Sequence, residues 1–381
     1  MSNASAPRAR WALATTFLLH GLLVGAWVPH VPLAKERLEA GPGLFGLALL
    51  AIAAGAVCAM PLAGILINRF GSANMTVATG MLLCLTFFGP VLAPDLPSFV
   101  IAGFLFGAMI GSMDVAMNAH GIAVERLLRL PTMSMFHGAY SLGGMAGAFA
   151  GAALLQLWGA EVQAISAAAV CLALLAIAAR FYLPGTADRG LSGTHFAWPT
   201  GATIALGLLC FLALMIEGSV LDWAAILMRE KFLVDAGMAA LAFGFFQGGM
   251  AVARVTGDRL RLWLGAVRLV RISSLMAVVG TSLALAAPSP WIALAAFIFA
   301  GLGIGNVAPL LFAGGGRLEP DAPGRGIAAV TTLGYSGFLA GPPLIGFAAQ
   351  VTSLTLALGL TILAALVIAA FARTVDAADT F

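Results

Sequence analysis

Charged side chains are scarce in this chain: Lys, Arg, Asp and Glu make up 9% of its 381 residues, whereas a soluble globular domain carries about 25%. Hydrophobic residues make up 61%, and the mean hydropathy is +1.02. A large soluble core does not explain so few charges, so the composition predicts a chain that lies mostly in lipid. The small net charge of +3 indicates no nucleic-acid partner.

Motifs for enzymes, cofactors and metals are also missing. The sequence has no GxxxxGK[ST] phosphate loop, which excludes ATP as an energy source bound by this chain, and no HExxH zinc motif. The nearest approach to GxSxG, Ala139–Gly143, lacks the first glycine and lies in an apolar run. The four cysteines form no CxxC pair, which favours free thiols over disulfides or metal ligands. The sequence therefore predicts a protein that is not an enzyme and that holds neither cofactor nor metal.

Long apolar runs, in contrast, are abundant. A helix of about 20 apolar residues can cross the hydrocarbon layer of a bilayer. The first run shows no small-residue cleavage site and is expected to be retained as a helix. Twelve such runs occur, at 11–33, 45–67, 74–93, 98–120, 134–158, 162–183, 201–227, 238–257, 268–287, 291–312, 326–349 and 353–373.

Basic residues are distributed unevenly between the loops that join these runs. With twelve spans, both termini lie on the same side as the even-numbered loops. That side carries 15 of the 19 Lys and Arg residues, when basic residues inside the ends of the spans, Arg254 among them, are counted with the adjacent loop or tail, and the other side carries four. The positive-inside rule therefore predicts a multi-pass protein of the bacterial inner membrane with both termini in the cytoplasm.

A weak repeat divides the chain almost evenly. Gly107 and Glu125 recur as Gly301 and Glu319 at an offset of 194, the Tyr140-Ser141 pair recurs as Tyr335-Ser336 at 195, and Trp27 recurs as Trp223 at 196. Parallel repeats of six helices are a known transporter design. We therefore predict an N-terminal six-helix bundle over 1–183, a cytoplasmic linker over 184–200, and a C-terminal six-helix bundle with a short cytoplasmic tail over 201–381.

Several segments resemble the major facilitator superfamily. "GILINRFGSA" (64–73) is similar to its loop 2–3 motif, with Asn68 in place of the usual Asp and with Arg69 and Gly71 in place. "TGDRLRLWLG" (256–265) is similar to the second copy of that motif and keeps Asp258 and Arg259. "MDVAMNAHGIAVER" and "EGSVLDWAAIL" resemble a bacterial branch related to the fucose permeases. The helix 4 arginine and the helix 5 proline of many drug/proton antiporters are absent.

The resemblance implies an all-α integral membrane protein whose twelve transmembrane helices form two six-helix pseudo-repeats around a central cavity. In the family, Arg–acid pairs help to close the cytoplasmic side, and helices 1, 4, 7 and 10 line the cavity. The implied cytoplasmic gate comprises Asn68, Arg69, Glu125, Asp258, Arg259 and Glu319. The implied substrate cavity comprises His20, Trp27, Asn118, Gln247, Asn306 and Tyr335.

Three acidic residues, Asp114, Glu217 and Asp222, lie inside apolar runs. A charge at the membrane centre costs roughly 3 kcal/mol or more, so such residues usually face water or a polar partner. Asp114, Asn118 and Glu125 share one helical stripe, because they are spaced by four and seven residues. We predict that Asp114 and Glu217 couple protons, with His137 near Asn118 as a titrating partner; a structural, permanently protonated carboxyl is the alternative. Asp222, beside Trp223, is interpreted as an interfacial anchor.

These observations favour a proton-coupled secondary active transporter of a small organic solute, a sugar or metabolite, working by alternating access. Symport competes with a second hypothesis, proton-driven efflux of amphipathic or drug-like compounds. A channel and a membrane-embedded enzyme are the rivals from other classes. The expected partners are the substrate, protons and the lipid bilayer, and a monomer is expected.

Overall fold

The computed structural model describes residues 5–130, 132–184, 201–319 and 322–379 of the chain. Within these ranges the regular structure is helical, and no strand occurs. The described residues group into two compact units. Unit 1 is drawn from Met1–Leu38 and Ala51–Ser192, and unit 2 from Glu39–Leu50 and Gly193–Phe381. The predicted linker, 184–200, lies outside the described residues except for Pro184.

The helices follow the predicted apolar runs closely. Along unit 1 and its boundary they are α1 (Ser5–Trp27), α2 (His30–Arg37), α3 (Pro42–Phe70), α4 (Ser72–Thr86), α5 (Phe88–Leu92), α6 (Leu96–Leu128) and α7 (Met133–Ala179). In unit 2 they are α8 (Ala202–Phe232), α9 (Ala236–Leu264), α10 (Ala266–Ala286), α11 (Pro290–Ile304), α12 (Val307–Leu318), α13 (Pro323–Val351) and α14 (Leu354–Ala370), followed by a C-terminal 3-10 helix (Ala372–Asp379).

Two predicted spans share the single long helix α7. Gly159, at φ 83°, interrupts the helical backbone between the runs predicted at 134–158 and 162–183. Only glycine adopts this left-handed conformation without strain, so the residue serves as the turn between the two spans. Nine helical segments of the described chain are long and apolar enough to cross a membrane, or ten if α14 and the 3-10 helix, bent by 51°, form one span. The all-helical membrane architecture predicted from the sequence is confirmed.

Close helix packing in each unit depends on glycine. In unit 1, a Cβ atom on Gly143 of α7 would overlap the backbone of Leu18 in α1, and one on Gly107 of α6 would overlap the carbonyl oxygen of Ile52 in α3. In unit 2, a Cβ atom on Gly337 of α13 would overlap the carbonyl oxygen of Phe211 in α8. Because apolar side chains gain no hydrophobic free energy by leaving lipid, close backbone packing of this kind holds membrane helices together.

The first two turns of α3 group with unit 2, although most of the helix groups with unit 1. Gly46 packs against Pro342 and Gly346 of α13, and the ring of Phe45 meets Trp223 edge-on at 6.3 Å between ring centroids. Gln350 at the end of α13 accepts a hydrogen bond from the backbone of Gly43. The compact units thus divide α3, whereas the domains predicted from the sequence assign residues 1–183 to one bundle.

Candidate functional site

A buried ion pair joins two helices of unit 2. Glu217 of α8 lies 3.6 Å from the guanidinium of Arg254 in α9, and the exposed fractions are 13% for the Glu217 side chain and 9% for that of Arg254. Burying two charges is costly unless they compensate each other. The pair therefore allows both residues to reside within apolar helices. Glu217 was predicted as a functional acid, whereas its partner was wrongly counted among the loop residues.

Two polar residues lie along α9, one before and one after Arg254. Gln247 lies seven residues earlier, which places it on the same helical face. It is buried, and its side-chain oxygen has no hydrogen-bond partner among the described residues. Asn306 lies at the junction of α11 and α12, and its amide oxygen is beside Gly257, about one turn beyond Arg254. The predicted cavity residues Gln247 and Asn306 thus lie along α9 on either side of Arg254.

Tyr335 of α13 contributes an aromatic surface to unit 2. It is partly buried and stacks on Phe338 with ring centroids 6.2 Å apart. The neighbouring Gly334 lies against the thiol of Cys210, which is seven residues before Glu217 on α8. Tyr335 is therefore on a helix that packs against the helix bearing Glu217.

Asp114 and Asn118 form a hydrogen-bonded pair on α6 in unit 1. The side-chain amide of Asn118 donates to the Asp114 carboxylate at 3.1 Å and to the Asp114 backbone carbonyl at 2.8 Å. Both residues are partly buried. The spacing of one helical turn permits this contact directly. A side-chain amide thus holds a carboxylate in place within an apolar helix.

Two histidines of the predicted site lie where α1 packs against α7. His20 is buried, its ring meets Tyr140 edge-on at 5.5 Å, and neither ring nitrogen has a hydrogen-bond partner among the described residues. His137 meets Phe17 edge-on at 5.4 Å. His20 is thus a polar group in an apolar contact, which is costly without a partner.

Trp27 is buried in an aromatic cluster. Its ring stacks on His30 and contacts Phe99 and Phe106, with centroid distances of 6.1 to 6.2 Å. Trp223, its repeat counterpart, is also fully buried and has no acceptor for its indole N–H among the described residues. The recurrence of Trp at these two positions therefore coincides with aromatic packing in each unit.

The acidic residues predicted for the cytoplasmic gate make different contacts. Glu125 accepts hydrogen bonds from the backbone N–H groups of Thr132 and Met133 and so caps the start of α7. Glu319 lies 3.6 Å from Arg325, which is 59% exposed.

The other four predicted gate residues are exposed. Arg69 lies over the ring of Phe70, and Asn68, Asp258 and Arg259 are also exposed. No ion pair among the described residues joins Arg69 to Glu125 or Arg259 to Glu319. The formation of these two pairs when the cytoplasmic side closes therefore stays a prediction.

Buried polar bridges form a further group that sequence reasoning missed. His30 bonds to Gln163 at 2.5 Å, and Gln163 donates to the carbonyl of Ala26, which ties α7 to the end of α1. His120 of α6 bonds to Ser72 of α4 at 2.8 Å and accepts from the backbone N–H of Leu183 at 3.2 Å. Periodicity on one helix cannot reveal such bridges, because each depends on how different helices align.

Comparisons with known proteins agree with this architecture. The family profile described as Major Facilitator Superfamily matches residues 13–313. An uncharacterized MFS-type transporter of Yersinia pestis is 36% identical over 359 residues, which cover 94% of each chain. The membrane protein MosC of Rhizobium meliloti is 31% identical over 353 residues, which cover 91% of this chain and 85% of MosC.

A solved structure shares the fold. The crystal structure of nucleoside transporter NupG gives a TM-score of 0.71 at 12% identity and covers 96% of this chain and 98% of its own. The homology and the apolar helices lead to one conclusion: the chain is a multi-pass membrane protein, a transporter and not an enzyme, and it belongs to the Major Facilitator Superfamily.

Proposed function

We propose that this transporter couples the movement of a proton to that of a small polar organic solute, a sugar or a metabolite, by alternating access. The observation that carries the proposal is the hydrogen bond between Asp114 and Asn118 within the apolar helix α6. The Asn118 amide can donate to a carboxylate or to the carbonyl oxygen of a carboxylic acid. The contact therefore persists when Asp114 gains or loses a proton, as a reversible proton site requires.

The polar groups of unit 2 are proposed to bind the solute. Arg254 and Glu217 offer both a donor and an acceptor, and the buried Gln247 oxygen offers a further acceptor. A pocket that binds a polar solute needs a small number of such groups at fixed positions. Asn306 and Tyr335 extend this set, whereas Trp27 packs in the aromatic cluster of unit 1.

Efflux of amphipathic compounds is the alternative. An aromatic wall near Gln247 would favour it, but Phe243 and Phe246 are fully buried, and the backbone of Phe246 packs against Gly301. NupG is titled a nucleoside transporter, and nucleosides are polar organic solutes, so they belong in a substrate screen. Its 12% identity to this chain supports only the shared fold.

The gate and the membrane orientation are also proposals. We expect the pairs Arg69–Glu125 and Arg259–Glu319 to form when the cytoplasmic side closes, so that replacing both glutamates with Gln favours the inward-open state. Unchanged cysteine accessibility from the cytoplasm in that double variant would count against the gate. Reporter fusions at the C-terminus should report a cytoplasmic location in the inner membrane; a periplasmic signal would refute the orientation.

The experiment has two stages. Purified protein is screened by thermal shift at two pH values against sugars, nucleosides, other metabolites and hydrophobic cations, because a ligand that binds the folded state raises its stability. A hit is then tested in proteoliposomes for accumulation against its own gradient when a pH gradient is imposed. Saturable, pH-driven accumulation supports the proposal. Stabilisation by hydrophobic cations alone supports efflux, and flux that never exceeds equilibrium contradicts proton coupling.

A further inference from the structure

A cavity of about 380 Å³ opens in unit 2 where the end of α9, the start of α10 and the C-terminal 3-10 helix meet. Its charged lining residues are Arg268 and Arg271 of α10 and Arg373, Asp376 and Asp379 of the 3-10 helix. None of these residues belongs to the polar cluster around Glu217 or to the proposed gate. The cavity is therefore a separate site that transport does not explain.

The charges within the cavity do not cancel. Asp379 is already used, because it lies 3.5 Å from the guanidinium of Arg261 and accepts a hydrogen bond from the backbone N–H of Ala266 at the start of α10. Arg271 donates to the carbonyl of Ala369. No ion pair among the described residues uses Arg268 or Arg373. Three guanidinium groups thus face one further carboxylate, that of Asp376, and the cavity favours an anion.

Exposed apolar side chains adjoin this basic lining. Trp263, immediately before the lining residue Leu264, is 81% exposed; Phe371, two residues before Arg373, is 61% exposed; and Ile272, next to Arg271, is 48% exposed. Tryptophan is typical of the boundary between the headgroups and the hydrocarbon of a bilayer. A molecule that fits both parts of this surface carries an anionic group and an apolar chain.

We propose that this cavity binds the phosphate group of an anionic phospholipid. Guanidinium groups match phosphate oxygens through paired, charge-assisted hydrogen bonds, and basic pockets between membrane helices are typical sites for anionic headgroups. Because Asp379 already caps the first turn of α10, the arginine side chains supply the contacts to the phosphate. The acyl chains lie along the apolar surface beside Ile272 and Phe371.

The test measures lipid binding to the full, delipidated chain in detergent by native mass spectrometry. Phosphatidylglycerol is compared with phosphatidylcholine, which carries the same phosphate but no net charge. The variant Arg268→Gln/Arg373→Gln is compared with the control Arg126→Gln/Arg129→Gln, which removes the same charge from exposed positions at the end of α6. A third variant, Arg268→Lys/Arg373→Lys, keeps the positive charge and loses the planar guanidinium groups that donate paired hydrogen bonds.

We expect the parent to prefer phosphatidylglycerol and the Arg268→Gln/Arg373→Gln variant to bind it roughly 30-fold more weakly, since each basic residue near an anionic surface contributes about 1 kcal/mol. The control should bind as the parent does, and the lysine variant should bind more tightly than the glutamine variant. Equal binding by the parent and the glutamine variant, or an equal loss in the control, would overturn the proposal. Displacement of the lipid by millimolar inorganic phosphate would show that the cavity binds free phosphate and would overturn the proposal that its ligand is a phospholipid.

Discussion

Each unit holds an acidic side chain inside an apolar helix, but the two are held by different partners. In unit 1, Asp114 accepts a hydrogen bond from Asn118, one turn away on the same helix. In unit 2, Glu217 pairs with Arg254, which belongs to another helix. The Asn118 bond requires no partner helix to stay in place, whereas the ion pair exists only while α8 and α9 keep their alignment.

The two carboxylates are therefore suited to different tasks, reversible proton binding and a permanent charge. Protonation of Asp114 preserves the donor bond from Asn118. Protonation of Glu217 would remove the negative charge that this residue places beside the Arg254 cation, and a guanidinium cannot lose its proton in a protein. We therefore propose that Asp114 carries the coupled proton and that Glu217 and Arg254 remain a fixed pair of charges.

Disruption of the ion pair gives the largest expected effect on stability. Removing one partner of a buried pair costs about 3–5 kcal/mol, because the other charge stays buried without compensation. Glu217→Gln should cost more than Arg254→Gln, since the remaining carboxyl can take up a proton and the remaining guanidinium cannot lose one. The free energy of unfolding is measured by denaturing-detergent titration in mixed micelles.

The double variant Glu217→Gln/Arg254→Gln is the control for this cycle. It should lose less stability than the sum of the two single variants, because no charge is left uncompensated. Strict additivity would mean that the two side chains do not interact and would remove the contrast between the two units.

The acidic residues at the ends of α6 and α12, Glu125 and Glu319, should show a smaller difference in their contribution to stability. Glu125 caps α7 through two backbone N–H groups, and loss of such a cap typically costs about 1 kcal/mol, up to about 2. Glu319 contacts the exposed Arg325, and exposed ion pairs are worth about 0–1 kcal/mol. Glu125→Ala should therefore destabilise the protein more than Glu319→Ala in the same titration. Equal losses would show that the helix cap contributes no more stability than the exposed ion pair.

The smallest effect is expected at the start of α6. Asp95 accepts a hydrogen bond from the backbone N–H of Ser98, and the side chain of Ser98 bonds back to the backbone of Asp95. The bonds from Ser98 lower the pKa of Asp95 below its ordinary value. The stability that Asp95 contributes is therefore present above the unfolded-state pKa, about 4, and is lost as the pH falls through the lower folded-state pKa.

Asp95→Ala should accordingly lower the melting temperature slightly at pH 7, and the difference from the parent should shrink as the medium is acidified below pH 4 or so. Ser98→Ala is the matched variant, because it removes the returning bond and leaves the Asp95 carboxylate with the backbone N–H. A difference between parent and Asp95→Ala that does not change with pH would show that the carboxylate charge plays no part.

Much of the fold follows from the sequence for a simple physical reason. A membrane span must be apolar for about 20 residues, so the apolar runs and the turns between them mark the helices. The break at Gly159 lies between two predicted spans, as expected for a residue with positive φ. The grouping of residues 39–50 with unit 2 was not predicted, because it depends on the packing of Gly46 against Pro342 and Gly346.

The same distinction applies to the candidate site: contacts within one helix follow from the sequence, whereas contacts between helices do not. Asp114 and Asn118 could be paired from the sequence, because the helical period brings residues four apart together. Arg254 was missed as the partner of Glu217, since contacts between helices depend on rotation and alignment that periodicity does not encode. One signal was present: Arg254 lies seven residues after Gln247, on the same face of α9.

The role of Asp114 is tested by measuring proton-driven accumulation by Asp114→Asn in proteoliposomes, with the ligand identified by the stability screen. Asparagine keeps the shape of the side chain and removes its titration. We expect this variant to fail to concentrate the ligand across an imposed pH gradient, while counterflow exchange, which needs no net proton movement, continues at a rate similar to that of the parent. Accumulation equal to that of the parent would show that Asp114 is a structural residue and would leave Glu217 as the leading candidate for the coupled proton.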